Sequence, residues 1–202
     1  MTRSIHAAGG RGAAAFGLAA LSLLALGLSA VPARADQGTG AAGPGTWQQH
    51  KMSFQFMGFT STYSCDGLAD KLRTLLLVAG ARPDVKAEPG ACASGFGRPD
   101  KFARADLTFY TLEPAQGSGA SAPGTVAGSW RSVALSAHSP QDLQLGDCEL
   151  VDQFRTQVLK SFTTQDLVNH TTCIPFQESG SVIDLRFEAF AAPRTPGAPP
   201  AR

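Results

Sequence analysis

Cys65-Asp-Gly-Leu-Ala-Asp-Lys-Leu-Arg-Thr-Leu-Leu-Leu77 decides how this chain is read, because it recurs, with the cysteine moved by one place, as Cys148-Glu-Leu-Val-Asp-Gln-Phe-Arg-Thr-Gln-Val-Leu159. Setting Leu68 on Leu150 makes five of ten positions agree, pairing Asp70 with Asp152, Arg73 with Arg155, Thr74 with Thr156 and Leu77 with Leu159. The same offset sets Asp84-Val85 on Asp166-Leu167, a second cysteine follows each copy at Cys92 and Cys173, and Asp106-Leu-Thr-Phe109 returns as Asp184-Leu-Arg-Phe187. Elements that recur in a fixed order indicate one ancestral unit used twice.

Leu68, Leu72, Leu75, Leu76 and Ala79 follow the spacing of one helix face, which predicts an amphipathic helix from Asp66 to Ala79, ended by Gly80 and Pro83. Leu150, Val151, Phe154, Val158 and Phe162 give the same stripe in the second copy, over Glu149 to Ser161, with Asp147 placed to accept the first free backbone N–H groups. Met52, Phe54 and Phe56 alternate with polar residues before the first helix, and Trp130 to Leu135 serves before the second. Asp84 to Glu88 and Asp166 to Thr172 follow the helices, then Ala105 to Leu112 and Ile183 to Phe190. Each unit reads β-α-β-β. The expected fold is α+β, with two pseudo-symmetric repeats joined in one mixed sheet and, because β-α-β crossovers are right-handed, both helices on one face. Two separate miniature domains are the alternative.

The same geometry selects two intra-repeat disulfides. A helix of this length rises ~21 Å and a following strand returns ~26 Å, so the strand end comes level with the helix start. Cys65 then meets Cys92, and Cys148 meets Cys173. Each bond would stabilise by roughly 3–4 kcal/mol in the chain-entropy account.

Residues 1–35 read as an export signal: Arg3 and Arg11, an apolar run from Ala13 to Val31, and the small-x-small ending Ala33-Arg34-Ala35. An uncleaved membrane anchor is the alternative for this run. Removing Arg3, Arg11 and Arg34 from the 17 basic residues leaves 14 against 16 acidic ones, a balance that gives no reason to expect nucleic acid as a partner. Residues 36–47 are expected as a flexible leader, 48–191 as a single α+β domain (repeats 48–113 and 129–191, linker 114–128) and 192–202 as a disordered tail, on their Gly, Ala, Pro and Ser content. An even cysteine count in an oxidising compartment points to disulfides, and the expected location is the periplasm or beyond, with no membrane span once the signal is removed.

Catalytic constellations are sparse. Cys65 and Cys148 stand at helix N-termini, where a thiol can become nucleophilic, but each has a disulfide partner at the expected distance. His138-Ser-Pro-Gln-Asp142 gathers a histidine, a hydroxyl and a carboxylate in a turn, and no metal, phosphate-loop or hydrolase motif is found. No catalytic, cofactor-binding or metal-ligating residue is assigned, and no cofactor is expected. The repeated pairs Asp70/Arg73 and Asp152/Arg155 read as i, i+3 helix-surface ion pairs, and as a duplicated pair that could face a groove between the helices they are the candidate binding surface.

Tyr63-Ser-Cys-Asp-Gly-Leu68 and Gly146-Asp-Cys-Glu-Leu-Val151, with their spacing, resemble a family of exported proteins of Gram-negative bacteria that carry no assigned function. The resemblance implies an envelope location and no activity. The expected role is a non-enzymatic module that binds a protein or an envelope component; a small hydrolase with a dispersed site between the two helices is the alternative.

Overall fold

Capping chemistry bounds the first helix at both ends, and Gly80 ends it where the sequence places the stop. Ser64, in extended conformation, accepts the Gly67 N–H on its hydroxyl and starts helix α1 (Cys65–Ala79), and Gly80 ends it in the left-handed region at φ 109. A side chain at Gly80 would be strained, and its Cβ would lie 2.9 Å from that of Ala191. The predicted stripe Leu68, Leu72, Leu75, Leu76 and Ala79 is fully buried.

A computed structural model describes residues 42–91, 98–115 and 124–193. The expected signal 1–35 and Cys92 lie outside the described residues. In chain order the elements are β1 (Gly43–Gln55), α1, β2 (Lys86–Pro89), β3 (Arg104–Pro114), β4 (Thr125–Ser136), α2 (Cys148–Gln157), β5 (Thr164–Asn169) and β6 (Asp184–Ala191), with short 3-10 turns at Leu145–Asp147 and Leu159–Ser161. The strands form one sheet in the order β2-β3-β1-β4-β6-β5.

Every pairing in that sheet is antiparallel, which corrects the expected mixed sheet. β1 and β2 do run the same way, as a β-α-β connection requires, but β3 returns into the gap between them and pairs with both. β6 fills the corresponding gap between β4 and β5. Two segments expected to be flexible contribute strand ends: Gly43–Thr46 of the leader pairs with Thr125–Gly128 of the linker. Glycine permits that seam. A Cβ on Gly45 would stand 2.7 Å from Leu112 Cγ, and one on Gly128 would stand 2.5 Å from Phe190 Cζ.

Phe54, Leu107 and Phe109 from one half and Val133, Leu135, Leu185 and Phe187 from the other pack with α1 and α2 in one apolar cluster. Truncating a leucine in such a cluster to alanine costs about 2–5 kcal/mol. α2 is shorter than predicted, yet its stripe Leu150, Val151, Phe154, Val158 and Phe162 is buried throughout, because the 3-10 turn carries the last positions inward. His50 serves packing. It stacks on Phe109 and its Nε2 lies 2.8 Å from Thr111 Oγ1, whose own proton is given to the Ser161 carbonyl, so Nε2 is the donor. Cys148 and Cys173 are joined, with Cα atoms 5.6 Å apart. Among the described residues, no helix is long and apolar enough to cross a membrane.

Candidate binding surface

β4 pairs with β1 only at Gly43–Thr46, so most of that edge of β1 has no strand beside it. α2 covers the far end. Phe56 and Gly58 turn their N–H groups to the carbonyls of Ala103 and Lys101 on the β3 side, which leaves Gln55 and Met57 facing the other way. There Gln157 donates to the Gln55 carbonyl at 3.1 Å, and Gln153 accepts the Met57 N–H at 2.9 Å while donating to its carbonyl at 2.8 Å. One helical turn earlier, Glu149 accepts the Phe59 and Thr60 N–H groups. Residues four apart on a helix are ~6 Å apart along its axis, close to the ~6.7 Å between alternate strand residues, so Glu149, Gln153 and Gln157 can serve positions 59/60, 57 and 55 in turn.

The segment so held carries Met57 and Phe59 outward, 51 % and 56 % exposed. Phe102, 54 % exposed, follows Lys101, whose carbonyl accepts the Gly58 N–H. Phe176, 72 % exposed, comes from the loop after Cys173 and meets Phe59 edge-on with ring centroids 5.8 Å apart. The Lys101 ammonium lies 5.7 Å from the Phe176 ring. Leu145 and Val182 flank residues that touch these loops, through Ser61 to Gly146 and Ser181 to Ile174. Of the eight exposed large apolar side chains among the described residues, Leu167 and Val168 lie on β5 and the other six lie outside the strands, with Phe59 and Phe176 in ring contact. Soluble surfaces scatter such side chains singly; contiguous ones mark contact sites.

Ionisable groups beneath the patch are committed internally. Asp147, expected to cap α2, makes no cap bond there and instead accepts from the Tyr63 hydroxyl, from Lys71 Nζ at 2.7 Å and from the Gln144 N–H at 2.7 Å. Three donors outcompete the helix end because Asp147 is almost fully buried, and a buried carboxylate must be paired. Lys71 also reaches the Asp142 carbonyl. Burial, reinforced by the Asp147 charge, pushes the Tyr63 phenol far above its ordinary range, so it remains a donor.

The candidate charged pairs lie elsewhere. Asp70 and Arg73 are exposed on α1, and Arg155 bonds Asp152 at 2.9 Å along α2. Among the described residues no hydrogen bond or ion pair joins one pair to the other. His138 occupies the turn after β4 at φ 66. No group of three or more His, Cys, Asp or Glu able to hold a metal is found among the described residues. No protein-family model, curated protein or solved structure matches this chain.

Proposed function

We propose that this chain is an exported, non-enzymatic binding module of a Gram-negative envelope, contacting a protein or envelope component through Met57, Phe59, Phe102 and Phe176. The carrying observation is that large exposed apolar side chains come from separate loops, with Phe59 and Phe176 in ring contact, while the nearby Asp147 and Glu149 carboxylates are consumed by internal hydrogen bonds. A hydrolase would need ionisable groups with free hydrogen-bonding capacity. The exposed pair Asp70/Arg73 and the half-buried pair Asp152/Arg155 offer further charged contacts. Export by a signal ending at Ala35, membership in the resembling exported family, a Cys65–Cys92 bond and descent by duplication belong to the same reading. The strand order β2-β3-β1-β4-β6-β5 supports duplication, since exchanging β1, β2, β3 with β4, β5, β6 leaves it unchanged on reversal.

The test compares residues 36–202 with the double variant Phe59→Ser/Phe176→Ser in photocrosslinking to envelope extract. Every adduct retained by the variant counts as non-specific. The reading expects an adduct that the variant loses with its melting temperature unchanged. Identical adducts in both would overturn it.

A further inference from the structure

Two consecutive residues at the N-terminus of α2 hold the two loops that build the patch. Glu149 holds Phe59 and Thr60 by hydrogen bonds, and Cys148 holds the Phe176 loop by its disulfide to Cys173. We infer that the Cys148–Cys173 bond is a redox gate on the aromatic patch: oxidised, it seats Phe176 against Phe59, and reduced, it releases the loop while the sheet persists. This regulation rests on the binding reading for its biological meaning.

The loop has few other attachments. Its base is fixed by the Thr172–Val182 bridge, and its interior bonds, Ile174 N–H to Ser181 Oγ and Ser181 Oγ–H to the Gln177 carbonyl, stay within the loop. Toward the body the links are Thr60 Oγ1 to the Ile174 carbonyl at 3.3 Å, the Lys101 ammonium 5.7 Å from the Phe176 ring, and the ring contact itself. Phe176 adopts φ 67, a conformation that an aromatic residue leaves when its surroundings stop enforcing it.

The bond is also placed to open. Cys148 is 3 % exposed whereas Cys173 is only partly buried, so an incoming thiolate reaches the Cys173 sulfur first. The departing Cys148 thiolate then forms at a helix N-terminus, which favours negative charge. With a dithiol reductant, one thiolate attacks Cys173, the Cys148–Cys173 bond breaks, and the second thiol displaces Cys173 from the mixed disulfide. Two electrons and two protons pass to the cysteines, and the reductant leaves as its cyclic disulfide.

The experiment records nuclear Overhauser contacts between the Phe59 and Phe176 rings in residues 36–202, oxidised, treated with dithiothreitol, and as Cys148→Ala/Cys173→Ala. Thiols are counted by mass spectrometry, and backbone amide shifts of β1, β3 and β6 report the sheet. The gate expects the ring contact to vanish in both dithiol and variant forms with sheet shifts retained. Persistence of the contact in protein whose Cys148 and Cys173 are verified as thiols overturns it. Global unfolding of Cys148→Ala/Cys173→Ala overturns it too, because that bond would then act on the whole fold. Failure of the binding reading appears separately, as crosslinking unchanged by Phe59→Ser/Phe176→Ser, and leaves the ring-contact result to decide the gate.

Discussion

The Gln153 carboxamide lies against the Met57 peptide unit as a neighbouring strand would, taking its N–H at 2.9 Å and giving its own N–H to the carbonyl at 2.8 Å. Gln157 repeats the arrangement at Gln55, so a helix face completes part of a sheet edge that β4 leaves bare. An uncovered edge is a template for unwanted pairing. Here the cover also fixes the direction in which Met57 and Phe59 leave the sheet.

Gln153→Ala should remove both bonds to Met57 and destabilise by about 1 kcal/mol in urea unfolding, a modest loss because water can replace a part-exposed partner. The sharper readout is amide exchange at Met57, which should accelerate while exchange at Phe56, bonded to Ala103, stays slow. Equal acceleration at both would show that Gln153 acts on the whole strand.

Tyr63 makes a prediction for alkaline pH. Its folded pKa is raised above the ordinary value of 10.0, first by burial and then by Asp147, so its contribution is complete below pH 10 and is lost as pH rises toward the folded value. Melting temperature should therefore fall above pH 10 in the native chain with a slope that Tyr63→Phe reduces. At neutral pH the same substitution should cost about 1–2 kcal/mol, since Asp147 keeps Lys71 and Gln144 but loses its third donor.

Arg82 and Asp84 govern a smaller, acid-side effect. The Arg82 guanidinium bonds Asp84 at 2.7 and 2.6 Å while lying 3.6 Å over the Tyr110 ring, and its hydrogen bonds hold the Asp84 carboxyl below its ordinary 3.8. A lowered carboxylate contributes above its unfolded pKa and loses that contribution as pH falls through the folded value. Asp84→Asn should flatten the melting curve's decline below about pH 4, by less than ~1 kcal/mol because the pair is half-exposed and screened by salt. An undiminished decline would assign the acid limb to other carboxylates.

Local rules carried much of the fold. The stripe Leu68 to Ala79, the Gly80 end and the alternation through Phe54 each follow from spacing within one element, and structure and sequence agree there; the Ser64 cap was not read from the sequence. The antiparallel return of β3 between β1 and β2 depends on which strands meet across the sheet, which no local period encodes. The proposed binding surface was harder to read. Asp70/Arg73 and Asp152/Arg155 stood out because they repeat, whereas Met57, Phe59, Phe102 and Phe176 are separated by up to 119 positions and converge only after folding. One signal was available: Glu149, Gln153 and Gln157 recur at i, i+4 on a short helix, a polar column that marks a face with hydrogen-bonding partners. Asp147 shows the opposite hazard, a residue well placed for a cap whose buried tertiary donors win.

The glycine seam gives the most direct test of the sheet's centre. At Gly128 an added Cβ would lie 2.5 and 2.6 Å from two carbons of the Phe190 ring, and also 2.7 Å from Leu112 Cδ2, so the methyl group cannot enter without moving side chains that are themselves buried. Overpacking of this kind costs about 1–3 kcal/mol, and Gly128→Ala should lower stability by that amount in chemical denaturation. Phe190→Leu alone should also destabilise, by removing ring contacts with Trp130 at 5.5 Å. Combined, the two changes should be less harmful than their sum, because the smaller side chain makes room for the new methyl group; residues in contact couple by about 0.5–3 kcal/mol. Strict additivity in the double variant would mean that Gly128 and Phe190 do not share the seam, and that the junction of β1 with β4 is closed by some other contact.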